Sequence, residues 1–205
     1  MSDGYDFTSD WFSRFAPVWR ELLRLYPPSA LLEIGAYEGR SACFLIEACA
    51  ADRPIELHCI DTWTGGIEHD PAAMAAVERR FDANIAQACA AAAHPAAVHK
   101  HKAASHAALA RLLAGGAAEH FDWIYVDGSH QAPDVLADAV LGFQLLKVGG
   151  VMIFDDYLWS LEGDGRQDAY NMPKPGIDAF VNVFQRKVSL IGAPLYQLYL
   201  RKIAA

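Results

Sequence analysis

Short apolar runs alternate with amphipathic stretches along most of the chain. A short apolar run bounded by turn residues is typical of a buried parallel strand, and apolar positions at helical spacing predict a helix packed on one face. The alternation therefore predicts a doubly wound α/β fold, a mostly parallel sheet with helices on both faces. The runs that predict strands are Ala30–Ile34, Ile55–Ile60, Ala97–Ala103, Trp123–Val126 and Val151–Phe154.

Both ends of the chain depart from this alternation. Residues 8–26 have apolar positions at helical spacing, which predicts a helix within an N-terminal helical segment, residues 1–28. Residues 158–174 are polar and longer than most connections inside compact domains, so we interpret them as a lid loop. A helix from Pro175 and two short apolar runs then predict a C-terminal antiparallel hairpin, which makes seven strands in one domain, residues 1–205.

The composition narrows the possible functions. The chain has 205 residues, 53% of them hydrophobic, which is enough for a full core. Its net charge of −8 argues against nucleic acid as a partner, because phosphate binding needs a basic surface. No signal peptide, no apolar run long enough to span a bilayer and no CxxC pair occur, which predicts a reduced, cytoplasmic protein without a membrane segment.

Acidic residues follow the fourth and fifth predicted strands. In open α/β sheets, ligands bind beyond the carboxyl ends of the strands, so Asp127, His130, Asp155 and Asp156 are expected at one rim. Carboxylates at neighbouring strand ends suit Mg²⁺, and a histidine at the start of the next helix suits a general base. Two simpler interpretations stay open: Asp127 begins only a turn, and His130 only caps the helix or contacts a cofactor.

The first strand ends in a glycine-bearing turn that enters a helix. Tyr37 occupies the position where a dinucleotide-binding turn needs its second glycine, which disfavours NAD and FAD. The pattern suits S-adenosylmethionine, because Glu33 can face its cationic end and the helix N-terminus its carboxylate. Asp61 ends the second strand and is placed to accept hydrogen bonds from two ribose hydroxyls. Two further residues have simple structural interpretations: Trp63 can pack against other side chains, and Ser105 can be the N-cap of a helix.

Four phrases of the sequence resemble class I S-adenosylmethionine-dependent methyltransferases, over nearly the whole chain. More narrowly, the chain resembles small-molecule O-methyltransferases of the macrolide-sugar and catechol types. The pair Asp156-Tyr157 departs from the catechol pattern, so a sugar or natural-product hydroxyl is the favoured acceptor. The phrases are Glu-Ile-Gly-Ala-Tyr-Glu-Gly-Arg-Ser from residue 33, Ile-Asp-Thr-Trp-Thr-Gly-Gly from 60, Val-Asp-Gly-Ser-His from 126 and Ile-Phe-Asp-Asp-Tyr from 153.

The resemblance implies a role for each candidate residue. It implies Mg²⁺ on Asp127, Asp155 and Asp156, and His130 as the general base beside Asp127. Rival interpretations are a metal-independent methyltransferase acting on another atom, a catalytically silent binding subunit and, last, a nicotinamide oxidoreductase. Oligomeric state stays open. The residues implied in cofactor binding are Glu33, Gly35, Tyr37, Gly39, Ser41, Asp61, Trp63 and Ser105.

The other histidines show no spacing typical of a metal site. The locally basic stretch at residues 99–102 is short, and we interpret it as a polar strand end. We therefore predict that these histidines are surface or core residues. They are His58, His69, His94, His99, His101, His106 and His120.

Overall fold

Seven strands form one mixed sheet in the computed structural model, which describes residues 4–67 and 70–205. The strand order is β3-β2-β1-β4-β5-β7-β6, with β1 to β5 parallel and β7 antiparallel to both of its neighbours. The predicted fold class is confirmed. The strands are β1 Ala30–Ile34, β2 Ile55–Asp61, β3 Ala96–Lys102, β4 Phe121–Val126, β5 Leu146–Phe154, β6 Val188–Ile191 and β7 Leu198–Lys202.

Within the described residues, six α-helices cover the two faces of the sheet. Alternate side chains of the central strands enter two separate cores, Leu31 and Tyr125 on one face and Leu32 and Val126 on the other. Because the parallel strands are buried on both faces, their sequences read as continuous apolar runs. The helices are α1 Ala16–Leu25, α2 Arg40–Cys49, α3 Met74–Ala91, α4 Ser105–Ala114, α5 Ala132–Leu145 and α6 Pro173–Phe184.

The first helix is shorter than the sequence predicts. It begins at Ala16 after a 3-10 turn, Ser13–Phe15, rather than at residue 8. The preceding segment is held by contacts to other elements: the Asp6 amide donates to Asn84 Oδ1 (2.9 Å) and the Thr8 amide to Glu38 Oε2 (2.7 Å). These amides bond to side chains of α3 and of the turn before α2, so the segment packs against those elements instead of extending α1.

Smaller differences occur at other element ends. The predicted lid loop, residues 158–174, ends earlier than expected, because α6 begins at Pro173. The loop also contains a 3-10 turn, Ala169–Asn171. Its polar side chains bond within the loop and to Gln131 near the start of α5. His69 lies outside the described residues. Within residues 4–67 and 70–205, no helix is long and apolar enough to cross a membrane.

Candidate active site

The turn between β1 and α2 passes directly against the end of β4. Gly35 has φ +87°, and a Cβ atom added there would lie 1.8 Å from the carbonyl oxygen of Asp127. Gly39 has φ +82° and precedes Arg40, the first residue of α2. Both positions need a residue without a side chain. The predicted glycine-bearing turn therefore forms, with α2 directed into it.

The Asp61 carboxylate clasps this turn. Its Oδ2 accepts hydrogen bonds from the backbone amides of Ala36 (3.0 Å) and Tyr37 (2.9 Å), and its Oδ1 accepts one from the amide of Trp63 (2.7 Å). Three donated hydrogen bonds hold Tyr37 and Trp63 in left-handed backbone conformations, which cost energy in residues other than glycine. Asp61 thus organises the turn, and its contact with a ribose stays a prediction.

Glu33 lies beneath this turn and does not line the cleft that opens above it. It is fully buried, accepts a hydrogen bond from the Ser41 hydroxyl, and has the Cys59 thiol 3.8 Å away. Burial raises the pKa of Glu33 to about 8, against the opposing effect of Ser41. Glu33 therefore supports the turn from below, and its predicted place facing the cationic end of S-adenosylmethionine stays a prediction.

The N-terminal segment forms one wall of the cleft above this turn. Phe7, Trp11 and Phe12 line the cleft together with Gly35, Ser41, Asp127 and Asp155. Glu38, which the sequence analysis did not single out, attaches this wall: it accepts hydrogen bonds from the Thr8 amide and hydroxyl, both 2.7 Å. Only its place inside the Gly35–Gly39 turn signalled a role for this buried acid.

Trp63 follows its simpler interpretation as a packing residue, and Ser105 does not follow its own as a helix N-cap. Trp63 is buried, packs on Phe81 and donates its indole N–H to the Tyr37 carbonyl (2.9 Å). Ser105 is the first residue of α4 and makes no side-chain cap, because Ala104 occupies the N-cap position. The predicted N-cap is therefore wrong by one residue. Their predicted contacts with the nucleoside stay predictions.

Asp127 and Asp155 meet through the hydroxyl of Tyr125. This hydroxyl contacts Asp127 Oδ2 at 2.9 Å and forms a short hydrogen bond with Asp155 Oδ2. Gln197 on the segment before β7 donates to the same Asp155 oxygen (2.9 Å), and the Asp156 amide donates to the other (2.7 Å). The carboxylate of Asp155 is thus already surrounded by donors. Tyr125 was missed because it belongs to the apolar run of β4, and Gln197 because it lies 42 residues from Asp155 in sequence.

Asp156 and His130 form the half-buried part of the cluster. His130 Nε2 lies 2.8 Å from Asp156 Oδ2, and the His130 ring packs on the Trp159 indole with centroids 4.1 Å apart. One ligand atom from each of Asp127, His130 and Asp156 lies within 4.8 Å of the other two. The structure therefore brings together the four predicted residues, but the compact trio contains His130 in the place predicted for Asp155.

The cluster concentrates negative charge in a buried place. Burial, together with the charges of Asp155 and Asp156, raises the pKa of Asp127 well above its usual range. Burial and the charge of Asp156 raise the pKa of Asp155 to about 6, although Tyr125 and Gln197 oppose the shift. Carboxylates in this arrangement need protons or a cation as partners. The site is therefore suited to bind a cation or a proton-donating ligand.

A further acid, Asp138 on α5, is buried beside the site. We expect its ionisation to make the stability of the protein depend on pH. Burial raises the pKa of Asp138 to about 7, and the neighbouring Ser105 side chain offsets this only in part. An acid with a raised pKa binds more protons when folded, so stability falls between about pH 4 and pH 7 as the group ionises. Asp138→Asn is expected to raise the free energy of unfolding by about 2 to 4 kcal/mol at pH 8 and little at pH 4.

Urea unfolding of both proteins at the two pH values measures this effect. Asp164→Asn, in an exposed loop, is the matched control and is expected to change neither value. Equal stability of the wild type and Asp138→Asn at pH 8 would show that ionisation of the Asp138 carboxyl does not destabilise the fold.

A comparison with protein families decides the class of this chain. A family described as a methyltransferase domain matches residues 32–157, more than half of the sequence. The chain belongs to this methyltransferase family. The match includes the Gly35 turn, Asp61 and the whole acidic cluster, so the predicted class I methyltransferase identity is confirmed. Among curated proteins, no significant match is found.

Solved methyltransferase structures share the fold at low sequence identity. The O-methyltransferase TomG of Streptomyces achromogenes, from tomaymycin synthesis and in complex with S-adenosylmethionine, is 20% identical with a TM-score of 0.67, over 96% of this chain and 82% of that one. A Bacillus cereus O-methyltransferase bound to S-adenosylhomocysteine is 19% identical with a TM-score of 0.61, over 96% and 84%. The methyltransferase MycE of mycinamycin biosynthesis, solved with Mg and S-adenosylhomocysteine, is 16% identical with a TM-score of 0.61, over 95% and 51%.

Proposed function

We propose that this methyltransferase transfers the methyl group of S-adenosylmethionine to a hydroxyl of a small molecule, with a divalent ion such as Mg²⁺ at the acidic cluster. The observation that carries the proposal is the trio of Asp127, His130 and Asp156, whose ligand atoms lie within 4.8 Å of one another beside the glycine turn. Carboxylate oxygens suit Mg²⁺, and an imidazole beside them suits proton removal from a hydroxyl. The acceptor class, a sugar or another natural product, rests on the resemblance in sequence.

The residues around the glycine turn fit the methyl donor. Gly35 leaves the backbone open to the cleft, and Ser41 in the first turn of α2 lines it, close to the helix N-terminus that favours a carboxylate. Asp61 retains lone pairs for ribose hydroxyls beside its three backbone donors. When bound, S-adenosylmethionine supplies an electrophilic methyl group on a sulfonium. The ligands of TomG and the Bacillus cereus enzyme support this donor.

The acidic cluster fits a divalent ion. Asp127 and Asp156 would hold it, while Asp155 stays bonded to Tyr125 and Gln197 behind them. This revises the predicted set of three aspartate ligands to two, with Asp155 as their support. A bound divalent ion orients an acceptor hydroxyl and lowers its pKa. The Mg in the MycE structure supports the proposal.

His130 is proposed to accept the hydroxyl proton. The Asp156 carboxylate, 2.8 Å from Nε2, fixes the orientation of the imidazole and stabilises the imidazolium that forms. The Trp159 indole, packed on the ring, restricts its rotation and shields it from water. Both contacts prepare the ring for proton transfer. The competing role, a third metal ligand, rests on the same trio and makes a different prediction.

His130→Gln is expected to lower kcat about a hundredfold or more, with S-adenosylhomocysteine affinity nearly unchanged, because only proton removal is lost. The measurement is kcat against pH: the wild type should show a rise with a histidine pKa that the variant lacks. His94→Gln, an exposed histidine before β3, is the matched control. A drop in the apparent affinity for Mg²⁺ with an unaltered pH profile would identify His130 as a metal ligand instead.

Calorimetric titration with S-adenosylhomocysteine, with and without MgCl₂, tests the proposed function itself. A screen of sugars, vicinal diols and phenols for S-adenosylhomocysteine release then tests the acceptor class. Binding together with Mg²⁺-dependent release is the expected result. Absence of binding under both conditions would favour the catalytically silent subunit, and full methyl transfer in excess EDTA would favour the metal-independent enzyme.

A further inference from the structure

A second cluster of histidine and glutamate side chains lies along β2, β3 and the approach to β4. Glu56 and His58 project from β2, His99 and His101 from β3, and His120 directly precedes β4. His58 and His99 are direct partners in the parallel register of β2 and β3. The tertiary fold thus gathers four histidines that the sequence spacing did not relate. Glu56 precedes Asp61 by five residues on one strand, about 16 Å, so the cluster is separate from the active site.

The Glu56 carboxylate is the centre of this cluster. Its Oε1 lies 2.8 Å from His58 Nε2 and 3.4 Å from His99 Nε2, and its Oε2 lies 2.9 Å from His120 Nε2. Ligand atoms of Glu56, His58 and His99 all lie within 4.8 Å of one another. In a tetrahedral zinc site with bonds of about 2.0 Å, neighbouring ligand atoms are about 3.3 Å apart. Side-chain rotations alone would therefore complete such a site.

A second histidine is placed to orient the first. His101 Nε2 lies 2.9 Å from His58 Nδ1. If His58 Nε2 binds an ion, its Nδ1 carries the proton and donates it to His101. Metal-binding histidines almost always have such a partner on the second ring nitrogen, which fixes the tautomer and the ring orientation. His101 therefore acts as a positioning residue for His58.

The cluster is open to solvent on one side. Glu56 and His99 remain 34% and 49% exposed in their side chains, which leaves a route for an ion.

We propose that Glu56, His58 and His99 bind a divalent ion of the zinc class, with His120 as the fourth ligand. Imidazole with one carboxylate suits Zn²⁺ rather than Mg²⁺, which prefers oxygen ligands. The ion joins β2, the edge strand β3 and the start of β4. Since it binds only the folded chain, it stabilises this edge of the sheet by mass action. The site is independent of the proposed methyl transfer.

Zinc titration of the chelator-treated full-length protein tests the proposal. One Zn²⁺ per chain is expected by calorimetry of the Asp156→Asn protein, in which the acidic cluster has lost a ligand, with an increase in the unfolding temperature and no competition from MgCl₂. His99→Gln and His120→Gln, both exposed enough to be tolerated, are each expected to weaken Zn²⁺ binding about tenfold or more. His106→Gln, on the exposed side of α4, is the matched control and should bind as the wild type does.

Cobalt(II) binding separates metal ligation from a merely structural role, because its absorption spectrum reports the ligands of the ion and not the stability of the fold. Co²⁺ in a four-coordinate site with imidazole ligands is expected to give visible absorption bands, which His99→Gln should remove while S-adenosylhomocysteine binding stays unchanged. In the Asp156→Asn background, zinc binding that persists undiminished after each glutamine substitution would overturn the proposal. So would zinc binding that is lost in Asp156→Asn, because the ion would then occupy the acidic cluster.

Discussion

Asp156→Asn is expected to lower the rate of methyl transfer about a hundredfold or more, with little change in S-adenosylhomocysteine affinity. The substitution removes one of the two proposed metal-binding carboxylates and the charged partner of His130 in one step. Asparagine tolerates the left-handed backbone of this position, φ +52°, so the effect is chemical and not conformational. Both losses impair the orientation and deprotonation of the acceptor hydroxyl, and neither removes a contact proposed for the methyl donor.

Initial rates over a range of MgCl₂ concentrations, together with calorimetry of S-adenosylhomocysteine, measure this effect. Asp52→Asn, an exposed acid after α2, is the matched control and should retain the wild-type rate. A variant that keeps full activity at every Mg²⁺ concentration would remove Asp156 from the catalytic cluster. A variant that more Mg²⁺ restores without loss of kcat would keep Asp156 as a metal ligand and exclude its role as the charged partner of His130. The first outcome would also weaken the metal proposal as a whole.

Gly35→Ala is expected to destabilise the fold by about 3 kcal/mol or more, or to prevent folding. Two costs add together: the positive φ of +87°, and a Cβ atom 1.8 Å from the Asp127 carbonyl oxygen. The neighbour is backbone at the end of a buried strand, so it has little freedom to withdraw. Any folded Gly35→Ala protein is also expected to lose S-adenosylhomocysteine affinity, because the turn is displaced into the cleft.

Gly116→Ala separates the two costs. Gly116 has φ +89°, nearly that of Gly35, but a Cβ atom there would meet nothing within 4 Å. Its expected cost is that of the left-handed backbone alone, about 1 to 2 kcal/mol. Urea unfolding of the two variants measures the difference. Equal destabilisation would show that the close approach of the turn to β4 does not constrain residue 35.

The local patterns of the sequence were sufficient for the order of the elements. β1 has the predicted bounds, Ala30–Ile34, because a strand buried on both faces leaves an uninterrupted apolar run. Element ends were less certain where long-range bonds decide them. Helical spacing continues through residues 8–15, yet Glu38 accepts a hydrogen bond from the Thr8 amide and Asn84 one from the Asp6 amide, and α1 begins only at Ala16.

The sequence was sufficient to predict which acidic residues meet in the candidate site, but not which contacts each of them makes there. Parallel strands place the residues after β4 and β5 at one edge, so Asp127, Asp155 and Asp156 had to be neighbours. Their roles depend on side chains from elsewhere in the fold. Gln197, 42 residues away from Asp155, bonds its carboxylate and leaves Asp156 and His130 in the compact trio.

The sequence by itself determined the class of fold, the glycine turn and the family, because each depends on short segments whose residues are local neighbours. Only the tertiary structure decided that Glu33 is a buried support of the turn, that Asp61 clasps it, and that Glu56 gathers three histidines around one carboxylate. His58, His99 and His120 come from three separate elements, β2, β3 and the approach to β4. Strand register and sheet order bring them together, and no pattern along one segment encodes that proximity.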